Sequence, residues 1–486
     1  MAALPHYKSF IDGAWLESKE KVQLRSPYSG ESLAEVHLAS EAELERAIAA
    51  SAHAAPGFRK VSRFMRSRVL SMMAQEIEAH REAFIKKMID EAGKPYLMAD
   101  VEVNRAVQTF TIAAEEAKRF GGEVIPIDVD ASGRAYDPAI SYWFSRGPIL
   151  AITPFNFPLN LVAHKVAPAI AVGSPVLLKP APQAPGCSYL LAEIFSKVIR
   201  TVADSREQIS PACFQVMSCQ NQVIAKAVTD PRLSILSFTG SGKVGWQLQA
   251  QAVGKKLALE LGGNAAAIIH SDADLKRAAG RCAAGGFAYA GQSCISVQRI
   301  LVQESVASAF TDLLLKEIAS LKVGDPALRD TTVGPVIDAN AAERVMSWIE
   351  EAKKDGAKIL VGGTRTQNLI TPTVLTDVKH SSKISCEEVF APLVLVEKYK
   401  KFEDALESVN SSRFGLQAGV FTDDLKLAHL ALETLEVGGL LVNEVPTYRA
   451  DNMPYGGVKD SGLGREGVRY AMEEFSERRT LITWHG

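Results

Sequence analysis

Cysteine is scarce and never closely paired. Cys187, Cys213, Cys219, Cys282, Cys294 and Cys386 form no CxxC pair. That removes the usual zinc spacings and argues against a disulfide framework in so long a chain, so no metal site is expected. No uninterrupted apolar run reaches the about 18 residues of a spanning helix. The opening MAALPHYKSFIDGAW has no cationic stretch ahead of an apolar core, so no secretion leader is expected. An excess of one charge is also missing: 54 Lys plus Arg stand against 56 Asp plus Glu, a formal net charge of −2. Neither nucleic acid nor an acidic membrane surface is favoured as a partner. Repeats and low-complexity segments do not occur. A reduced, cytoplasmic setting is the expectation.

What is present is a chain of 486 residues, 47% hydrophobic and 23% charged, the composition of a globular enzyme of two or three domains. The first third reads as mostly helical. Ser40 and Glu43 have capping-box spacing, and helical patterns follow over roughly 62–92 and 97–120, separated by Gly93 and Pro95 and stopped by Gly121-Gly122. Residues 123–145 lose the helical period and read as an extended hairpin arm.

From residue 149 short apolar runs alternate with helical patterns. ILAIT, PVLLKP, CFQVMS, LSILSFT and KLALELGG form one set. AAAIIH, QRILVQ, KILVGG, PLVLVEKY, LQAGVF and GGLLVN form another. This is the signature of βαβ units and parallel sheets. The expected fold class is α/β with two Rossmann-like domains meeting near Gly262-Gly263. The tail RRTLITWHG reads as one more strand, a partner for the arm.

Five stretches carry possible chemistry. In FAYAGQSCISVQRI, Cys294 follows a Gly-Gln-Ser turn; it is either an inert buried thiol or a nucleophile. After the strand LSILSFT, Gly240, Gly242 and Gly245 have G-x-G-x-x-G spacing, with Glu260 ending the next strand. On pattern alone this is either a dinucleotide fingerprint with Glu260 on a ribose, or a tight turn without ligand. Asn156 in PFNFP, just past a strand end, is an oxyanion donor or a turn former. Lys179, ending PVLLK, reaches a cofactor or snorkels. Glu387 and Glu388 read alone as a solvated turn.

The order PFNFP, LLKPA, FTGS, LELGG, GQSC, EEVFAP, MPYGGVKDSGLGREG resembles the aldehyde dehydrogenase superfamily across nearly the whole chain. The resemblance implies that Cys294 is the nucleophile, with Asn156 and the Cys294 N–H holding the oxyanion. It makes Glu260 the base that hydrolyses a thioester, displacing the ribose reading. NAD or NADP is the implied cofactor. It would lie along Ile152, Thr153, Lys179, Ala181, Pro182, Gly240, Ser241, Val244, Leu261, Glu388 and Phe390. Of these, Lys179 would bind the adenosine ribose, Gly240 and Ser241 the diphosphate, Val244 the adenine side and Glu388 the nicotinamide ribose. Phe390 would pack near the nicotinamide ring.

Domains are implied at 1–122 with 146–261 for the cofactor and at 262–464 for catalysis. Residues 123–145 and 465–486 would form an arm and tail that build a homodimer or homotetramer.

Three departures from the family pattern stand out. Phe155 replaces a common tryptophan. SCQNQ replaces a glycine-rich loop. Pro182 stands where NAD-preferring relatives often carry a glutamate, so a 2′-phosphate would not be repelled.

Arg105 and Arg449 lie in segments resembling those of relatives acting on small anionic aldehydes: lactaldehyde, glyceraldehyde 3-phosphate, phosphonoacetaldehyde, and sulfonated or semialdehyde acids. A guanidinium suits such anions; a surface salt bridge is the alternative for each. Rival activities are a CoA-acylating enzyme of the same fold, which would not need Glu260, and a cofactor-independent cysteine esterase. A non-catalytic role is disfavoured by the intact Cys294, Glu260 and Asn156.

Overall fold

Apolar runs too continuous for a half-solvated strand must be covered on both faces. In this computed structural model, which describes residues 4–202 and 207–485, they form two large sheets. The first has eight strands in the order Gly462–Leu463, Lys256–Glu260, Ile235–Thr239, Ile149–Ile152, Val176–Lys179, Phe214–Val216, Ser9–Ile11 and Ala14–Leu16. The stretch from Lys256–Glu260 to Phe214–Val216 is parallel throughout. Alternate residues feed different cores: Ile149 and Ala151 pack in one, Leu150 and Leu177 in the other.

The second sheet runs Lys358–Val361, Thr373–Thr376, Leu393–Tyr399, Val297–Gln303, Ala265–Ile269, Gln417–Phe421 and Gly439–Val442. Only its first pair is antiparallel. Ile269 and Ile300 pack on one face, and Ile268 and Leu301 on the other. The expected α/β architecture with parallel sheets is thus present.

The helical reading of the first third needs correction at its start. His6–Tyr7, Ser9–Ile11, Ala14–Leu16, Glu20–Arg25 and Ser32–Leu38 are strands. Three of them are too short for a period to show, and Ser9–Ile11 forms because Phe214–Val216 offers an open edge. The helix Glu41–Lys60 does begin with a capping box: Ser40 Oγ accepts the Glu43 N–H, and the Glu43 carboxylate accepts the Ser40 N–H at 2.7 Å. The pattern over 62–92 is two helices, Arg63–Ala79 and Arg81–Ala92, broken at His80. Gly93 ends the second in the left-handed region at φ 62°, where glycine has no Cβ penalty. Tyr96–Arg119 follows.

Glu123–Ile125 pairs antiparallel with Ala139–Ser145, and the tail strand Ser476–Leu481 pairs with the other edge, Ser476 opposite Ser145. The arm and tail therefore form one three-stranded sheet. Its apolar side chains include exposed Val124, Tyr142 and Leu481, and Ile482 and Trp484 just beyond are also exposed.

Candidate active site

The chain passes from the first sheet to the second through Leu261–Asn264, and a cavity of about 370 Å³ opens beside this crossing. Asn156, Glu260, Cys294, Glu388, Phe390, Arg105 and Arg449 all line it.

Cys294 is delivered by an unusual turn. After the helix Leu275–Phe287, Tyr289, Ala290 and Gly291 take φ values of 50°, 53° and 66°. Two consecutive non-glycine residues in the left-handed region persist only where their surroundings hold them. Here Tyr289 donates its hydroxyl to the Ala92 carbonyl at 3.1 Å, and the Gln292 amide accepts from the Ile337 N–H at 2.9 Å. Gly291 admits no side chain, since a Cβ would lie 2.2 Å from the Ala391 carbonyl oxygen. Beneath the turn, Lys94 pairs with buried Glu102 and lies over the rings of Phe157 and Tyr289 at 3.8 and 4.4 Å. Glu102 in turn accepts the Leu159 and Asn160 N–H groups at 2.9 and 3.0 Å. One buried pair thus ties the Asn156 loop to the Cys294 turn.

Asn156 donates Nδ2–H to the Gln292 carbonyl at 3.1 Å, while its Oδ1 has no partner among the described residues. That bond uses one of the two amide hydrogens. The Cys294 backbone N–H makes no hydrogen bond to protein among the described residues. Both donors are available to an oxygen bound beside the sulfur. Burial pushes the Cys294 thiol up to about 12; a hydrogen bond from Tyr455 opposes this, the charges of Glu388 and Glu260 add to it, and Arg449 counters them.

Glu260 ends its strand inside the cavity, 4% exposed, and its Oε2 has no partner among the described residues. Burial, then the charge of Glu466, raises its proton affinity well above the ordinary carboxylate range. Glu466 goes the other way. Against the penalty of burial, Lys165, Arg449 and His164 hold it down to about 2. Of the two neighbours, Glu466 carries the charge and Glu260 keeps the proton more readily.

The candidate cofactor residues divide. Gly240, Ser241, Leu261, Glu388 and Phe390 line the cavity. A Cβ on Gly240 would lie 2.6 Å from the Phe238 ring, and one on Gly262 would lie 2.6 Å from the Glu388 carboxylate. Glu388 accepts the Gly263 N–H at 3.0 Å, and burial raises it to about 7. Phe390 has φ 54° and meets Phe155 edge-on, with centroids 6.0 Å apart.

Ile152, Thr153, Lys179, Ala181, Pro182 and Val244 lie outside this lining, around the carboxyl ends of the parallel strands. Ile152 is opposite Lys179 in register, and the Thr153 N–H donates to the Lys179 carbonyl at 3.2 Å. Thr153, Lys179 and Ala181 are buried, whereas Pro182 and Val244 are exposed. Burial lowers the Lys179 proton affinity, and its ammonium makes no hydrogen bond among the described residues. These features fit a dinucleotide: a glycine turn leading into the helix Gly242–Gln251, a buried lysine without a partner, and a carboxylate at the cavity wall. Glu387 instead pairs with Arg413 outside the cavity.

Neither arginine is a surface bridge. Arg105 grips Asp451 with Nε at 3.2 Å and Nη2 at 2.7 Å, and Asp451 also meets His164 Nε2 at 2.8 Å. The Arg449 side chain is 5% exposed; its Nη2 donates to Glu466 at 3.1 Å, and its Nε has no partner among the described residues. Both still face the cavity.

Residues 15–481 match the aldehyde dehydrogenase family. The chain belongs to that family. It is 38% identical over 483 residues to a 3-sulfolactaldehyde dehydrogenase of Priestia aryabhattai, covering 99% of each protein. Aldehyde dehydrogenase 21 from Physcomitrella patens, solved with the reaction product succinate, is 37% identical with a TM-score of 0.95; the match covers 100% of this chain and 99% of that one. A glyceraldehyde-3-phosphate dehydrogenase from Methanocaldococcus jannaschii, solved with NADP, is 36% identical with a TM-score of 0.91, covering 96% of this chain and 100% of that one. The protein is an oxidoreductase acting on the aldehyde group.

Sequence reasoning missed several residues that shape the site of this aldehyde dehydrogenase: His164, Lys165, Asp451, Tyr455 and Glu466. For two of them a signal existed. The helix Asn160–Val172 is buried throughout, and His164-Lys165 interrupts an otherwise apolar run. Lys165 binds Ser237 Oγ at 2.8 Å and Glu466 at 3.3 Å. Among the described residues there is no cluster of three His, Cys, Asp or Glu side chains able to hold a metal. No helix among them is long and apolar enough to cross a membrane.

Proposed function

We propose that this aldehyde dehydrogenase oxidises a short anionic aldehyde to its carboxylic acid, using NAD or NADP and a thioester on Cys294. The observation that carries the substrate class is the presence of Arg105 and Arg449 in the cavity that holds Cys294. A guanidinium in a partly dry cavity recognises carboxylate, phosphate or sulfonate through charge-assisted bonds. Relatives that act on sulfolactaldehyde, yield succinate or act on glyceraldehyde 3-phosphate support the same class.

In this mechanism Cys294, as thiolate, attacks the aldehyde carbon. The carbonyl electrons move to oxygen, which the second amide hydrogen of Asn156 and the Cys294 N–H receive. A nicotinamide dinucleotide, when bound, would supply the acceptor for the hydride that leaves the carbon. Lys179 and Glu388 are the groups that would hold its riboses, and Gly240 with Ser241 its diphosphate. Glu260 then takes a proton from the water that hydrolyses the thioester. Its free Oε2 and raised proton affinity suit that step. A reduced cytoplasmic setting suits a reaction that depends on a free thiol. Residues 1–122 with 146–261 serve the cofactor in this reading, and 262–464 serve catalysis. The arm-and-tail sheet, with its exposed apolar side chains, joins subunits into a homodimer or homotetramer; a monomer by light scattering at micromolar concentration would remove that assignment.

The test pairs anionic and neutral aldehydes of equal length, each with NAD and with NADP, and follows reduced cofactor by absorbance. Preference for the neutral partner in every pair would overturn the substrate class. Arg105→Ala sharpens it. The Michaelis constant for the anionic aldehyde should rise about tenfold to a hundredfold, the effect of losing a charge-assisted bond of about 1.5–3 kcal/mol, while that for the neutral one changes little. Equal changes for both would remove the anion site. Arg449→Ala should act in the same direction; because the two arginines also pair with buried Asp451 and Glu466, each variant is read beside its thermal midpoint.

A further inference from the structure

One polar atom beside the reacting sulfur has no part in the scheme above. The phenol oxygen of Tyr455 lies 3.0 Å from Cys294 Sγ. We propose that Tyr455 is a catalytic residue of this enzyme, its hydroxyl holding the Cys294 sulfur in place and donating a hydrogen bond to it when it is a thiolate. This rests on the reading of Cys294 as the nucleophile.

The surroundings fix the phenol for this role. Tyr455 is 3% exposed, so its hydroxyl cannot swing into solvent. Its backbone exchanges two hydrogen bonds with Glu466, at 3.0 and 2.6 Å. The Glu466 carboxylate holds Arg449 at 3.1 Å, and the Arg449 guanidinium lies over the Tyr455 ring, 3.8 Å from its centroid. Tyr455, Glu466 and Arg449 thus form a closed clamp whose open end is the hydroxyl on the sulfur.

The chemistry follows from the donor count. A thiol and a phenol can each donate to the other, but a thiolate only accepts, so the ionised form draws the Tyr455 O–H. Tyr455 keeps its own proton: burial, with the charges of Cys294 and Glu260, raises its pKa well above that of a free phenol. Around the sulfur, Glu388 and Glu260 oppose ionisation, while Tyr455 and Arg449 favour it. As the sulfur pair forms the S–C bond, the carbonyl π pair moves to oxygen and the O–H···S bond weakens. No proton leaves Tyr455. A phenylalanine here would fill the same space under Arg449 without holding the sulfur.

The test is alkylation of the full-length enzyme by iodoacetamide from about pH 6 to about pH 10, where the thiolate fraction sets the rate. Adducts are read at Cys294 by peptide mass spectrometry because Cys386 is exposed and can label too, with Cys294→Ser as the blank. A hydrogen bond to a charged group is equivalent to about one to two pH units of thiol ionisation. A more basic thiolate is also more nucleophilic, with a Brønsted slope of about 0.4–0.5, which offsets about half of that. Tyr455→Phe should therefore move the profile about half to one unit toward higher pH, or about threefold to tenfold slower at fixed pH. Tyr455→Leu should show the same displacement together with a lower thermal midpoint, because Arg449 also loses its ring. A Tyr455→Phe profile that superimposes on the parent, or moves to lower pH, overturns the proposal. A parent enzyme whose Cys294 takes no label at any pH removes the nucleophile reading itself.

Discussion

Glu260→Gln should convert the enzyme into one that forms up to one equivalent of reduced cofactor per site in a rapid burst and then stalls. Glutamine keeps the shape of the side chain but cannot accept a proton from water. Cysteine attack and hydride loss do not need that acceptance, so the thioester forms and waits. Losing a general base costs about 10²–10⁴-fold in its own step, enough to make hydrolysis limiting. The trapped acyl group should appear by mass spectrometry on Cys294. Cofactor binding should persist, because in this reading Lys179 and Glu388, not Glu260, hold the riboses. The pH dependence should change too. With the Glu260 proton affinity raised by burial and by Glu466, hydrolysis in the parent climbs with pH as Glu260 loses its proton. In the glutamine variant that climb should vanish. Weakened cofactor binding with neither burst nor adduct would return Glu260 to a ribose and leave hydrolysis without a base.

Cys294→Ser should abolish aldehyde oxidation while leaving dinucleotide binding intact. A serine hydroxyl is far less ionised than a thiol near neutral pH, so attack on the carbonyl fails. Burial already pushes the thiol up to about 12, which leaves little reserve for a weaker acid. Hydrolysis of an activated ester without cofactor should disappear as well, since it would use the same acyl-enzyme. Near-native turnover by Cys294→Ser would show that another group attacks the substrate.

The sequence made the sheets legible wherever strands are buried on both faces, because runs such as ILAI and AAAII carry no polar interruption. It failed over residues 6–16, where two- and three-residue strands exist only because another segment supplies an edge. The local motifs around Cys294, Glu260 and Asn156 left alternatives open; the order of motifs along the whole chain singled the three out, and they line one cavity. Tyr455 was not singled out. Its significance comes from a contact across 161 residues, and local spacing carries no trace of that. The pattern GSGKVG leaves the role of Glu260 open for a physical reason: a glycine turn entering a helix looks the same whether the next acid faces a ribose or a thiol. Lys165 was visible in hindsight, as a charge in the middle of a helix with no exposed side.

The crossing of the chain back to its first sheet has a consequence for how the protein is made. Gly462–Leu463 pairs with Lys256–Glu260, and Arg449, Tyr455 and Glu466 all lie downstream of both sheets' central strands. A ribosome adds about 5–20 residues per second, so the 161 residues between Cys294 and Tyr455 take roughly ten to thirty seconds to synthesise. During that interval the nascent thiol has neither its phenol nor its arginine, and the edge beside Glu260 is unpaired. The cavity around Cys294 is therefore completed only after the central strands of both large sheets have been synthesised.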